Sequence, residues 1–271
     1  MKIEMEFGTF ITKVIKSYKT MLAFVLTSAI LSFSLSYIPK ELFTSKALLT
    51  TNNKNQTQMM NGVFGGFLDS YNQESSIDEY ALEVIKSREF FIYFINSDDD
   101  IRNYFINLGD PIFSGSFSGS DSEINESMYQ IYRNVLLDTY IQSNGFISIS
   151  FSFSNPEESQ YLLEKIIQKF NEKERDKKIS EFSESAKRIN EIIRTEVKLD
   201  SRELYSELFF NKLANILSEK ADIDPMVSYV YKPIIPVDKS FPSRGTFLII
   251  GIILGFVSSL FYIFFFRNRA D

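Results

Sequence analysis

With no histidine and no cysteine in 271 residues, the side chains of this sequence that could do chemistry are its carboxylates. Two acidic groups stand out, Asp98-Asp99-Asp100 and the later Asp121 with Glu123. A calcium ion takes oxygen ligands of this kind, but an EF-hand loop also sets a glycine and a terminal glutamate at fixed offsets, and neither group has that spacing. Acids suit the first turn of a helix, where free backbone N–H groups favour negative charge, so capping and solvation are the expected roles. Cleaving a glycosidic bond would need two acids held apart across a cleft, and no motif supports such a pair. Without His or Cys, the commonest general base, soft nucleophile and transition-metal ligands are all missing. The expectation is a non-enzyme with no catalytic residue, no metal site and no cofactor.

Charge narrows the partners. A net charge of -6 provides no basic footprint for a nucleic acid. The absence of cysteine rules out a disulfide framework and is compatible with an oxidising compartment.

The elements that position the polar groups begin and end in oil. Thr20 to Ile38 and Gly245 to Phe266 contain no charged residue, and each is near the roughly 20 residues that cross a hydrocarbon core. Lys13, Lys16 and Lys19 precede the first stretch and Arg267 and Arg269 follow the second, against single opposing charges at Lys40 and Arg244. Basic clusters stay in the cytoplasm, whereas long loops cross regardless of charge. The first stretch could instead be a cleaved signal peptide ending near Ser34-Leu35-Ser36, but its long leader contains Glu4 and Glu6 and its apolar run exceeds a usual signal core. The expected organisation is a cytoplasmic segment at 1–19, transmembrane helices at 20–38 and 245–266, a periplasmic domain at 39–244 and a cytoplasmic tail at 267–271. Phe7, Ile11, Val14, Ile15 and Tyr18 are spaced for an amphipathic helix on the inner membrane surface.

Within the domain, Ser45 to Thr51 reads as a strand, and the glycines at 62, 65 and 66 argue against a long helix over Met59 to Tyr71. Ser76 to Asn96 predicts one helix with Ser76 and Glu79 as a capping box, and Asp98 to Leu108 predicts a second. Ile112 to Glu126, rich in Ser, Gly and Asp, predicts a loop. Met128 to Tyr140 reads as a helix or a helix-to-strand transition. Phe146 to Phe153 alternates apolar residues with Ser, as a half-buried strand does. Asn155-Pro156-Glu157-Glu158 opens a helix that no glycine or proline interrupts before Pro225, nearly 70 residues and on the order of 100 Å if continuous; a bend near Lys198 to Arg202 is the alternative. Leu162, Ile166 and Phe170 form one stripe, and Ile179, Phe182, Ala186, Ile189 and Ile193 step in heptad fashion as a candidate oligomer face. The polar run Asn171 to Lys178 between them is expected to be solvated, supported by pairs such as Glu174 with Lys178, the alternative being a section that projects from the core or meets a neighbouring protomer. Val227 to Ile235 predicts a strand that joins the other two in a small membrane-proximal sheet. The fold class is α+β.

Pro233, Pro236 and Pro242 stiffen the approach to the second span, since proline fixes φ and removes a donor. Gly251, Gly255 and Ser259, and Ser28, Ser32 and Ser36 in the first span, recur at every fourth position. Such small-residue faces let helix backbones pack closely in lipid. With its proline segment, its glycine-bearing second span, SKALLTT after the first span, SREFFIYFINS and the strand-to-long-helix segment FISISFSFSNPEESQYLLEKIIQKFNEKE, the whole chain resembles the polysaccharide chain-length determinant (Wzz) family of polysaccharide co-polymerases. Its periplasmic part is small for that family, and Pro236 to Pro242 is a looser spacing than a tight proline repeat. A phosphate-cradling glycine loop and a tyrosine-rich tail are absent from the sequence, so the expected form is the one without a fused kinase.

The resemblance implies a bacterial inner-membrane protein with both termini cytoplasmic. It further implies a homo-oligomer that sets the length of a surface polysaccharide such as lipopolysaccharide O antigen, working with a Wzy-type polymerase and the growing lipid-linked glycan. The alternative is an inner-membrane adaptor for capsule or polysaccharide export. A two-span sensor fits less well, because the five residues after Phe266 hold no signalling module.

Overall fold

The computed structural model describes residues 16–51, 77–195, 207, 210–211 and 225–265. The elements are α1 (Tyr18–Leu35), β1 (Leu42–Thr51), α2 (Ile77–Lys86), α3 (Arg88–Ile95), α4 (Asp99–Leu108), α5 (Asp121–Ile131), a π-helical turn (Tyr132–Leu136), β2 (Leu137–Ile141), β3 (Ile147–Phe153), α6 (Pro156–Thr195), β4 (Val227–Tyr231), β5 (Lys239–Phe241) and α7 (Arg244–Phe265). They divide into two compact units. One holds the described residues up to Phe43, Gly109–Ser116 and the described residues from Asp238 on; the other holds the rest. Residues 1–15 of the amphipathic leader, the Met59 to Tyr71 glycine segment, the Ser76 cap and most of the stretch beyond Thr195 lie outside the described residues; Tyr18, the last apolar position of that leader, opens α1.

In the first unit, α1 and α7 are 18 and 22 residues long. At 1.5 Å per residue they extend about 27 and 33 Å, which brackets a hydrocarbon core of about 30 Å. Both turn large apolar side chains outward, among them Leu26, Ile30 and Leu31 on α1 and Ile249, Ile253 and Leu254 on α7. A helix in water would hide such a face; these two are suited by length and composition to a membrane.

The second unit is α+β. Its sheet has the order β2-β3-β1-β4, and β5 pairs with the start of β1 in the first unit. β2 and β3 form a hairpin registered from Leu137↔Phe151 to Ile141↔Ile147. Gly145, at φ +82°, supplies the left-handed residue that this tight connection requires. β4 returns antiparallel to β1, with Leu49 opposite Tyr229 and Thr51 opposite Val227. Alternation along β3 buries Ile147, Ile149, Phe151 and Phe153. Its hydroxyl face is more covered than a solvent face would be. Ser150 is buried, and Ser152 shares a 2.7 Å hydrogen bond with Thr44 on β1.

Phenylalanine builds the core. Phe90, Phe91, Phe94, Phe105, Phe151, Phe153 and Phe170 are all fully buried, and three of them, Phe91, Phe105 and Phe151, stand against Tyr132. The Phe91 ring lies 4.9 Å from Tyr132 and 5.5 Å from Phe105. Tyr132 keeps its hydroxyl inside by donating to the Ile85 carbonyl at 2.9 Å, and burial pushes its phenol far up from its ordinary value.

Four expectations need correction. The helix expected over 76–96 is two helices, because Ser87 leaves the helical region (φ -69°, ψ 148°) and its Oγ accepts from the Phe90 N–H as the cap of α3. The loop expected over 112–126 stops at Ser120, where the Ser120 N–H and Oγ both donate to the Glu123 carboxylate and start α5. The strand after the first span is longer, beginning at Leu42.

The polar run 171–178 is solvated on one side only: Arg175, Asp176 and Lys177 are exposed, while Asn171 and Glu174 face neighbouring elements. Asn171 reads the backbone of Val227 in both directions, donating to its carbonyl at 3.0 Å and accepting from its N–H at 3.1 Å. Glu174 is buried and accepts from the Tyr80 hydroxyl at 3.2 Å, in place of a pair with Lys178. Lys173 reaches Glu89 at 2.7 Å and Lys177 reaches the Tyr80 hydroxyl at 2.9 Å. Alternating charges on a helix signal solvent only when no neighbour offers matching polar groups; α2, α3 and β4 offer them here. Of α6, 40 residues are described as helix, about 60 Å of axis.

Candidate functional site

The residues singled out at the two apolar stretches meet in the first unit. Gly251, Gly255, Ser259 and Ile263 are the buried residues of α7, spaced every fourth position so that they fall on one stripe. That stripe meets α1. A Cβ at Gly251 would stand 2.6 Å from Ser32 Cβ and 2.9 Å from the Ser28 carbonyl oxygen, and one at Gly255 would stand 2.7 Å from Val25 Cα. Only the missing side chains let the backbones approach so closely. Ser32 Oγ donates across the pair to the Phe247 carbonyl at 2.5 Å. Ser36 and Ser259 are buried but turn their hydroxyls onto their own helices, at Phe33 and Phe256. Phe24 and Tyr262 add a ring contact at 5.3 Å.

Just beyond the helix ends, the two chain segments that leave the pair are clasped. β5 runs antiparallel to the start of β1, with Leu42 opposite Phe241 and Phe43 opposite Lys239. Lys239 Nζ donates to Glu41 at 2.5 Å, and Arg244 stands 3.8 Å from the same carboxylate. Lys239 holds the Glu41 carboxyl below the usual carboxylate range, first through this hydrogen bond and then through its charge. Arg244 also lies over the Tyr37 ring, 4.7 Å from its centre. Sequence reasoning counted Arg244 as a flanking charge but gave no role to Glu41, Lys239 or Tyr37. A Glu directly before the strand that follows the first span and a Lys five residues before the second apolar helix were the available signal.

The proline segment is divided between the two units. In the second, Pro233 presents its carbonyl to Gln160 at 3.0 Å and Ile234 presents its own to Ser45 at 2.8 Å. In the first, Pro242 follows β5 through a cis peptide bond. Pro236 lies between them, two residues past Ile234, and Val237 beside it is 91% exposed. Of the heptad positions proposed for an oligomer face, Ile179 is half-buried; the side chains of Phe182, Ala186, Ile189 and Ile193 lie outside the described ones.

No family model and no curated protein sequence matches the chain. Similarity is found among solved structures. A full-length bacterial polysaccharide co-polymerase is 14% identical over 96% of each chain, at a TM-score of 0.39. A fragment of WzzB, a polysaccharide co-polymerase from Salmonella Typhimurium, is 19% identical over 74% of this chain and 100% of that one, at 0.35. A mutant of the Shigella flexneri lipopolysaccharide O-antigen chain-length regulator WzzBSF is 13% identical over 74% and 100%, at 0.22.

The acidic groups considered first serve the fold. Asp98 Oδ1 caps α4 by accepting from the Asp100 N–H at 3.0 Å, and Glu123 caps α5. Among the described residues, no three Asp or Glu side chains are grouped to hold a metal ion. A shallow cleft in the second unit is lined by Tyr104, Asn155, Glu157, Glu158 and Tyr161. Its acids are consecutive residues in the first turn of α6, and neighbours in a helix sequence do not face one another across a reacting bond.

Proposed function

We propose that this chain is an inner-membrane regulator of surface polysaccharide length, of the kind its sequence resemblance implies. The order of elements carries the reading: an apolar helix, a strand, an α+β body with a long helix, a proline segment, and a second apolar helix whose glycines meet the first. α1 and α7 act as membrane spans with both termini in the cytoplasm, as the lysine and arginine clusters require. The body then stands in the periplasm, copies of the chain assemble around a Wzy-type polymerase, and the assembly limits how long the lipid-linked glycan grows. The protein's own contribution is positional. The helix pair fixes the membrane end, and the Glu41–Lys239 clasp joins the outgoing and returning segments at the base.

Deleting the gene and separating the extracted surface polysaccharide on a ladder gel tests this. A lost or shifted modal band, restored by the full chain supplied in trans, is the expected result. An unchanged ladder with failed secretion would assign the chain to export instead.

A further inference from the structure

The loop Gly109-Asp110-Pro111-Ile112-Phe113-Ser114-Gly115 belongs to the first unit and is held against the end of α1. The Lys40 N–H donates to the Pro111 carbonyl at 2.8 Å, and Ser114 Oγ donates to the Ile38 carbonyl at 2.6 Å. The loop is built to keep its shape. Asp110 Oδ1 accepts from the N–H groups of Ile112 and Phe113 at 2.8 and 3.1 Å, and the Asp110 N–H closes the loop on the Gly115 carbonyl at 2.8 Å. Gly109, at φ +61°, lets that closure happen; a Cβ there would strike the Gly115 oxygen. With its backbone so constrained, the loop nevertheless turns its two large apolar side chains outward, Phe113 at 77% exposure and Ile112 at 39%. Beside the attachment points, Tyr37 and Ile38 are likewise exposed. An apolar patch of this kind calls for a cover.

We propose that Ile112 and Phe113 are embedded in lipid, as a finger seated in the headgroup and acyl boundary where α1 and α7 leave the bilayer. The proposal rests on reading those helices as spans. Lipid is the occupant because the loop that carries the patch is hydrogen-bonded, through Pro111 and Ser114, to Lys40 and Ile38 just past α1, whose outward side chains are apolar. The level is marked by Tyr37 under Arg244, an aromatic and basic pair of the type that lines membrane interfaces. Apolar groups at that depth sit about 5–10 Å into the boundary. The finger would fix the depth of the clasp against the membrane surface.

The chain contains no tryptophan, so one introduced tryptophan reports alone. Phe113→Trp and, separately, Ile253→Trp in the middle of α7 are made in the full chain. Each is reconstituted into phosphatidylcholine vesicles carrying bromine either near the headgroup or deep in the acyl chain. The expected result is a blue-shifted Phe113→Trp emission that shallow bromine quenches more than deep bromine and that iodide in the external solution fails to quench, with Ile253→Trp quenched best by deep bromine. If Ile253→Trp is quenched and Phe113→Trp is not, the finger is refuted and the spans stand. Emission from Phe113→Trp that neither bromine nor iodide touches means another protein surface covers the loop and refutes the finger as well. If neither variant is quenched by any brominated lipid, the spans and the finger fall together.

Discussion

Gly255 on α7 sits against Ser28 on α1 so closely that a Cβ on the glycine would be 2.9 Å from the serine's own Cβ. Real side chains do not tolerate that separation; either the helices move apart or the substituted residue is strained. The contact makes the helix pair a single object, and several measurable consequences depend on it and on the groups that extend it.

Gly255→Leu should force α1 and α7 apart, with an overpacking penalty of about 1–3 kcal/mol. The variant is expected to reach the membrane in normal amount yet to lose control of polysaccharide length. Membrane-fraction blotting and the ladder gel read the two effects separately, and a normal modal band would show that the tight contact is irrelevant to function.

Acid should loosen the clasp. Glu41 has its carboxyl lowered from 4.5 by the Lys239 hydrogen bond and charge. A depressed carboxylate stabilises the fold fully above the unfolded value and loses that contribution as pH falls through the folded one. Melting the detergent-solubilised protein at pH 7 and at about pH 3 should therefore show a drop that Glu41→Gln diminishes. Both groups are largely exposed, so added salt should weaken the effect as well.

Asn171→Ala should be among the more damaging changes on α6. It leaves the N–H and carbonyl of buried Val227 without partners, at about 1–3 kcal/mol for an unsatisfied buried group. Asn171→Asp keeps the acceptor for the Val227 N–H and loses the donor to its carbonyl, so its melting temperature should fall between alanine and wild type.

Ser87→Ala removes the cap of α3 and should cost about 0.5–2 kcal/mol. Ser87→Asp can supply the same acceptor to the Phe90 N–H and should restore most of the loss in the same thermal melt. Equal melting temperatures for the alanine variant and wild type would mean the break at Ser87 is held by packing alone.

Composition and periodicity were sufficient for the coarse architecture. Two charge-free apolar runs, strict alternation in β3, and proline and acids at the start of α6 are local signals, carried by residues that are neighbours in sequence, so the helices and the strand they predict are present. The every-fourth-residue spacing of Gly251, Gly255 and Ser259 likewise puts them on one stripe by helix geometry alone. The helix break at Ser87 was written locally too, as a serine followed by acidic Glu89, but apolar residues at helical spacing on both sides, Leu82 and Ile85 before it and Phe90, Phe91 and Phe94 after it, read as one continuous helix.

What tertiary structure alone decided is where polar groups find partners across long sequence separations. Nothing near Asn171 or Glu174 in the sequence names Val227 or Tyr80, so one side of a charged stretch that is solvated on the other proved to be docked. The same holds for Glu41 with Lys239, and for Phe113, which composition hid in a serine and glycine loop and which the fold delivers to the end of α1. Periodicity records which face of an element is apolar; only packing determines which other element supplies the missing hydrogen-bond partner, because that partner's distance along the chain leaves no trace in the local pattern.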